Sequence, residues 1–123
     1  MQFDNLSNQV IGLAIEVHKN LGPGLLESVY EQCLSYELQL NNINHQCQVE
    51  LPIIYKGHQL SQSYRIDLLI ENQLIIELKA VKELQGIHKA QLLTYMKLKQ
   101  APTGLLINFN EAILKNGIKR FVL

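Results

Sequence analysis

The side chains of Asp67, Glu77 and Lys79 are set into the two strongly apolar runs of YRIDLLIENQLIIELKA, residues 64–80. A charge inside a buried strand is costly unless a partner or a metal ion compensates it. Clustered carboxylates offer hard oxygen ligands, which suit Mg²⁺ or Mn²⁺. A metal held this way lowers the pKa of a bound water and neutralises charge developing on a phosphate. A lysine beside it can orient or deprotonate the attacking water and hold the phosphate. The plain alternative is an ion pair on the wet face of an antiparallel sheet.

Which chemistry is open depends on how the stretch folds. It reads as two strands joined at Glu71-Asn72-Gln73. A three-residue loop sets Ile70 against Leu74 and Asp67 opposite Glu77, with Asn72 or Gln73 at positive φ. A two-residue loop would put the carboxylates on opposite faces. The odd-length loop is therefore expected, with Asp67, Glu77 and Lys79 on one face.

Two further groups have the right types. Gln91 and Tyr95 lie four apart on GIHKAQLLTYMKLK, with His88 three residues earlier, and so share one helical face. An amide and a phenol at that spacing can hold a water or a phosphate oxygen, although a satisfied core tyrosine and a surface glutamine have the same signature. In GPGLLESVY, Glu27 opens a second helix, where the dipole favours a carboxylate in any case. Tyr30 reads equally as a core aromatic. His18, His45 and His58 have no ligand spacing. No G-x-x-x-x-G-K-[ST], G-x-G-x-x-G or G-x-S-x-G occurs, which leaves no motif for a nucleotide-binding protein or serine hydrolase.

The elements that must position these groups follow the apolar periodicity. Leu6, Val10, Leu13, Ala14, Val17 and Leu21 mark a first amphipathic helix, with Asp4, Asn5 or Ser7 as its cap and Gly22-Pro23-Gly24 as its stop. A second helix runs from about Leu25 to Leu40, with Leu26, Val29, Tyr30, Cys33, Leu34 and Leu38 expected on its buried side. Strands are predicted at Gln46 to Tyr55, Gln59 to Ile70 and Gln73 to Val81. Pro52 marks the first of them as an edge strand or a bulge. A helix at Ile87 to Gln100 follows, its core contacts from Leu92, Leu93, Met96 and Leu98, then a strand at Gly104 to Phe109 and another within Gly117 to Leu123. The fold class is thus mixed α/β, a twisted sheet flanked by helices, in one domain over residues 1–123.

Composition bounds the rest. The chain has 123 residues, 47% of them apolar, enough for a real core. Its longest apolar runs are far too short to span a bilayer. The start, MQFDNLSNQV, lacks a basic region leading into an apolar one, which argues against a signal peptide. Cys33 and Cys47 have no CxxC spacing, so a reduced, cytoplasmic setting is expected. Eleven basic and 11 acidic side chains balance to zero, so global charge gives nucleic-acid binding no support.

In order, Glu27, Asp67, Glu77-Leu78-Lys79 and Gln91-Leu-Leu-Thr-Tyr95 resemble the PD-(D/E)XK nuclease superfamily, whose core order α-β-β-β-α-β also matches. More narrowly, GPGLLESVYEQCLSYEL, with Gly24, Glu27 and Tyr30 as G-x-x-E-x-x-Y, is similar to the small GxxExxY protein family. So are LPIIYKG, YRIDLLIENQLIIELKAV, HKAQLLTYMKL, GLLINFN and GIKRFVL. The resemblance implies a Mg²⁺- or Mn²⁺-dependent nuclease acting on DNA, less so RNA. Asp67, Glu77, Glu27 and the Leu78 carbonyl would hold the metal, Lys79 would handle the nucleophile, and Gln91 and Tyr95 would position it or the phosphate. Lys82 and Lys89, with Lys56 and Lys97, would flank the substrate. Small size and neutral charge motivate the competing expectation, a non-catalytic binding or dimerisation module on the same fold, and a homodimer is compatible with either.

Overall fold

A computed structural model describes residues 4–123; the first three residues of the N-terminal stretch discussed above lie outside it. Helix α1 spans Asn5–Leu21 and α2 spans Glu27–Leu40. Strand β1 is His45–Tyr55, β2 is His58–Ile70 and β3 is Leu74–Lys79. Helix α3, Gly86–Lys99, leads to β4, Thr103–Asn108, and a short 3₁₀ turn precedes β5, Ile118–Val122. The expected order α-α-β-β-β-α-β-β is therefore present.

Asp4 starts α1, its carboxylate accepting from the Ser7 N–H at 2.8 Å and the Ser7 hydroxyl at 2.9 Å. Val10, Ala14 and Val17 bury one face of that helix. Gly22, at φ 69, ends it in the left-handed region. Tyr30, Leu34 and Leu38 bury the matching face of α2. Tyr30 does more than fill space. Its ring stacks on Phe109 at 4.3 Å, its hydroxyl donates to the Gly22 carbonyl at 2.6 Å, and it accepts from Leu25 N–H at 3.1 Å. The tyrosine of G-x-x-E-x-x-Y thus pins the Gly-Pro-Gly turn. Leu26, expected inside, is 73% exposed, because the helix begins one residue after it and the periodicity does not reach that far. Leu98 is likewise exposed, on the outer side of α3.

The five strands lie in the order β1-β2-β3-β4-β5. Only β3 and β4 run parallel, as the α3 crossover between them requires. β1 is an edge strand, and its register with β2 shifts between Pro52 and Ile54, so proline's lost N–H falls where pairing is already irregular. Helices α1 and α2 cover one face of the sheet over Leu68, Ile70, Leu74, Ile76 and Leu78. Helix α3 covers the other over Ile66, Leu69, Ile75 and Leu106. That second layer packs so closely that a Cβ on Gly104 would sit 2.7 Å from Met96 Sδ.

The β2–β3 turn has the odd length expected. Ile70 pairs with Leu74, and Gln73 N–H donates to the Ile70 carbonyl at 3.0 Å. The residues at positive φ are Glu71 (53°) and Asn72 (55°), not Gln73. The hydrogen bond from Gln73 makes those two the central pair of the turn, and a hairpin-compatible twist needs both left-handed.

Candidate metal and phosphate site

The backbone ladder between β2 and β3 runs through Leu68–Ile76, Leu69–Ile75 and Ile70–Leu74. At the next rung, where Asp67 falls opposite Glu77, side chains take over. Asp67 N–H donates to Glu77 Oε1 at 3.4 Å, and Leu78 N–H donates to Asp67 Oδ2 at 2.9 Å. The strands fork here, with the Asp67 carboxylate in the fork.

The expected one-face arrangement needs a correction. Glu77 follows Ile75 onto the α3 side, but β2 changes its facing sense at Asp67. Ile66 and Leu69, three residues apart, both pack under α3, while Leu68 and Ile70 pack under α1 and α2. The register is as expected, yet Asp67 reaches Glu77 through the fork and not across a flat face.

Glu77 is 4% exposed. Burial, and then the neighbouring Asp67 charge, push its carboxyl up to about 9, with Lys79 opposing only in part. At neutral pH it holds a proton unless positive charge arrives. Among the described residues the Lys79 ammonium, one alternation further along the strand, joins no ion pair, whereas Arg120 pairs with Asp4. Tyr95 is buried under the same region, and burial followed by the Glu77 charge raises its phenol to about 12. It therefore stays a hydrogen-bond donor. Gln91, one turn before it, is half-buried, and both line a groove of about 290 Å³ that continues past Tyr64 and Ile87.

Glu27 is brought to the same end of β3, where its Oε2 accepts from Ala80 N–H at 3.2 Å. Lys82 is exposed in the loop that follows. Lys89 turns elsewhere, its ammonium 5.5 Å from the centre of the Phe121 ring on the far edge strand β5. His88, three residues before Gln91 on α3 as expected, also accepts from the Gln85 N–H at 3.0 Å and closes the start of the helix. Lys56 lies over the Tyr55 ring at the β1–β2 turn, and Lys97 is exposed in the last turn of α3.

Two groups escape sequence reasoning. Glu31, one turn after Glu27, shares a hydrogen bond with Gln48 and feels the Asp67 charge; burial foremost raises its carboxyl. The Glu27/Glu31 spacing of four was the available signal. Asn108, fully buried, sits beside Lys79 in the parallel β3–β4 register. Its amide accepts from Val81 N–H at 3.0 Å and donates to the Val81 carbonyl at 2.9 Å, fixing the chain just beyond Lys79. A lone Asn at the end of an apolar strand carries no such message in sequence.

Among the described residues no group of three His, Cys, Asp or Glu side chains is placed to hold a metal by itself. The donor set still fits a small divalent ion. Mg²⁺ needs only one or two protein carboxylates, its other positions being filled by water and phosphate. A cation would also supply the positive charge that the Asp67–Glu77 pair lacks. No helix among the described residues is long and apolar enough to cross a membrane.

No curated protein matches the sequence. Among solved structures, the chain is similar to the crystal structure of SSO0001, at 25% identity and a TM-score of 0.56. That alignment covers 94% of this chain but 57% of the other, so this chain spans little more than half of that protein. The PD-(D/E)XK nuclease superfamily, whose members are generally metal-dependent nucleases, matches residues 4–121. With the forked hairpin, the mixed five-stranded sheet and that match over nearly the whole length, the chain belongs to the PD-(D/E)XK nuclease superfamily.

Proposed function

We propose that the protein is a Mg²⁺-dependent nuclease of the GxxExxY type, hydrolysing phosphodiester bonds in DNA, with residues 1–123 acting as one catalytic domain in the cytoplasm. The observation that carries this reading is the buried Glu77 carboxyl joined to Asp67 at the fork, with Lys79 one alternation beyond.

Asp67, Glu77 and the Leu78 carbonyl are the metal ligands in this proposal, with Glu27 as the further acid from the start of α2. The bound Mg²⁺ would polarise the scissile phosphate and lower the pKa of its water. Lys79, with no carboxylate within ion-pair distance among the described residues, holds the attacking water or the phosphate by its N–H donors. Tyr95, protonated at working pH, donates to a phosphate oxygen, and the Gln91 amide orients the water beside it. Asn108, by clamping Val81, keeps the Lys79 end of β3 from fraying. Lys82 is set to meet the phosphate backbone from the loop after β3. Lys89, which lies over Phe121, would have to swing to do so.

Cleavage of single- and double-stranded DNA, and of RNA, with and without Mg²⁺ or Mn²⁺ is the direct test. Metal-dependent cleavage lost in Asp67→Ala and Lys79→Ala is the expected result; cleavage that survives both overturns the reading. A folded protein that binds no Mg²⁺ or Mn²⁺ at millimolar concentration by calorimetry would favour the non-catalytic binding or dimerisation module.

A further inference from the structure

The rung next to the fork breaks the pattern of both strands that share it. Gln48 lies between the pairs Cys47–Leu68 and Val49–Ile66, which sets it opposite Asp67. Adjacent strand residues normally point to opposite faces. Here Cys47 reaches Ser35 of α2, its thiol 3.5 Å from the hydroxyl, and Gln48 also reaches α2, at Glu31. The cause is local: Gln48 has φ 53, a left-handed backbone that residues with side chains rarely adopt. From Val49 on, β1 packs under α3. β2 slips at the facing residue, Asp67, so the one-to-one register survives.

We propose that Gln48 is a positioning residue for the candidate site, its side-chain amide holding the Asp67 carboxylate and drawing Glu31 in as an additional acid beside it; this rests on the nuclease reading above. One nitrogen serves both contacts. Gln48 Nε2 donates to Glu31 Oε1 at 2.5 Å and to Asp67 Oδ1 at 3.4 Å. The reverse amide orientation would face an acceptor oxygen with two carboxylates, so only the NH₂ group suits the position. Asp67 Oδ2 is already engaged by Leu78 N–H. The two bonds together fix the carboxylate plane from both sides, and each oxygen keeps a lone pair for a ligand. The amide also separates two like charges that would otherwise meet directly. Arg65 Nη1 donates to the Gln48 carbonyl at 3.4 Å, which helps to hold the left-handed backbone.

Gln48→Gly discriminates positioning from mere turn-making, since glycine tolerates positive φ without strain but has no amide. The melting temperature of the variant is expected to stay level or rise. The Mg²⁺ concentration for half-maximal DNA cleavage is expected to rise by about 10-fold or more, the usual effect of removing a group that orients a metal ligand. An unchanged Mg²⁺ requirement in Gln48→Gly would overturn the positioning role. A second readout needs no catalysis. In ¹⁵N–¹H spectra of the full chain, the Gln48 side-chain NH₂ signals are expected to move in both Glu31→Gln and Asp67→Asn; signals unmoved by either variant overturn the bridge. If the wild type neither cleaves nor binds Mg²⁺, the nuclease reading fails, and the amide signals still decide whether Gln48 joins the two carboxylates.

Discussion

The β2–β3 pair behaves as two structures laid end to end. Near the turn, Leu68, Leu69, Ile70, Leu74, Ile75 and Ile76 are at most 1% exposed and close a regular backbone ladder. One rung further, that ladder stops and carboxylate oxygens accept the backbone N–H groups. The zipped end satisfies its polar groups internally and buries only carbon on both faces. The forked end buries the Glu77 carboxyl beside a half-buried Asp67 with insufficient counter-charge. The two halves are held in one register by a three-residue turn, so the stable half aims the reactive half.

Substitution at the forked end is expected to abolish chemistry without unfolding. Asp67→Ala or Lys79→Ala should lower cleavage by roughly 10³-fold or more, about 4 kcal/mol of transition-state stabilisation. Circular dichroism should show the fold intact for Lys79→Ala, because that ammonium is half-exposed and joins no ion pair among the described residues. A Lys79→Ala protein that cleaves normally would leave the two ends functionally alike. The opposite outcome belongs to the zipped end. Ile75→Ala should cost about 2–5 kcal/mol in urea unfolding, since the side chain is fully buried against the α3 layer. The Mg²⁺ requirement of the remaining folded protein should not move.

The zipped end was the legible one. Two continuous apolar runs around a polar triplet mark the turn, and requiring Asp67 to fall opposite Glu77 selects its odd length. Element order, the edge position of β1 and the stop at Gly22 follow from the same local rules. The fork was only half legible. A strand pattern assumes strict alternation, and Gln48 and Asp67 abandon it together, which leaves no trace in an apolar/polar string. Glu31 was hidden because its role depends on where α2 crosses β1. Asn108 was hidden because a single buried amide becomes meaningful only once Val81 folds beside it. Lys89 shows the converse: a basic residue near the motif in sequence is carried by helical rotation toward Phe121.

Protonation offers a finer separation of the two ends. The Glu77 carboxyl rises from 4.5 to about 9 on folding, by burial first and then by the Asp67 charge. A raised carboxyl pKa means that the folded state keeps a proton the unfolded chain has released. The associated stability is present in full below about pH 4.5 and is lost as pH climbs toward 9, at up to ~1.4 kcal/mol per pH unit. Metal-free protein should therefore melt lower at pH 8 than at pH 6. Glu77→Gln should flatten that dependence and be the more stable protein at pH 8, while losing cleavage. Added Mg²⁺ should raise the melting point of the wild type at pH 8 and have little effect on Glu77→Gln. A wild-type melting curve independent of pH between 6 and 8 would mean that Glu77 is already ionised and the fork already compensated.

The smallest effect is expected at Glu27, and it tests where the forked end stops. Its carboxylate is exposed and accepts from Ala80 N–H at 3.2 Å, so the side chain combines a hydrogen bond with a charge. Glu27→Gln keeps an acceptor oxygen for Ala80 and removes only the charge. Stability should change by less than ~0.5 kcal/mol, as for most exposed substitutions, and the Mg²⁺ requirement should rise a few-fold. Glu27→Ala removes both, and any further loss of cleavage in it measures what the hydrogen bond does to hold the Lys79 end of β3. If Glu27→Gln were instead as damaging as Asp67→Ala, the reactive half would extend into the first turn of α2. The boundary between the two ends would then run through the helix pair as well as the hairpin.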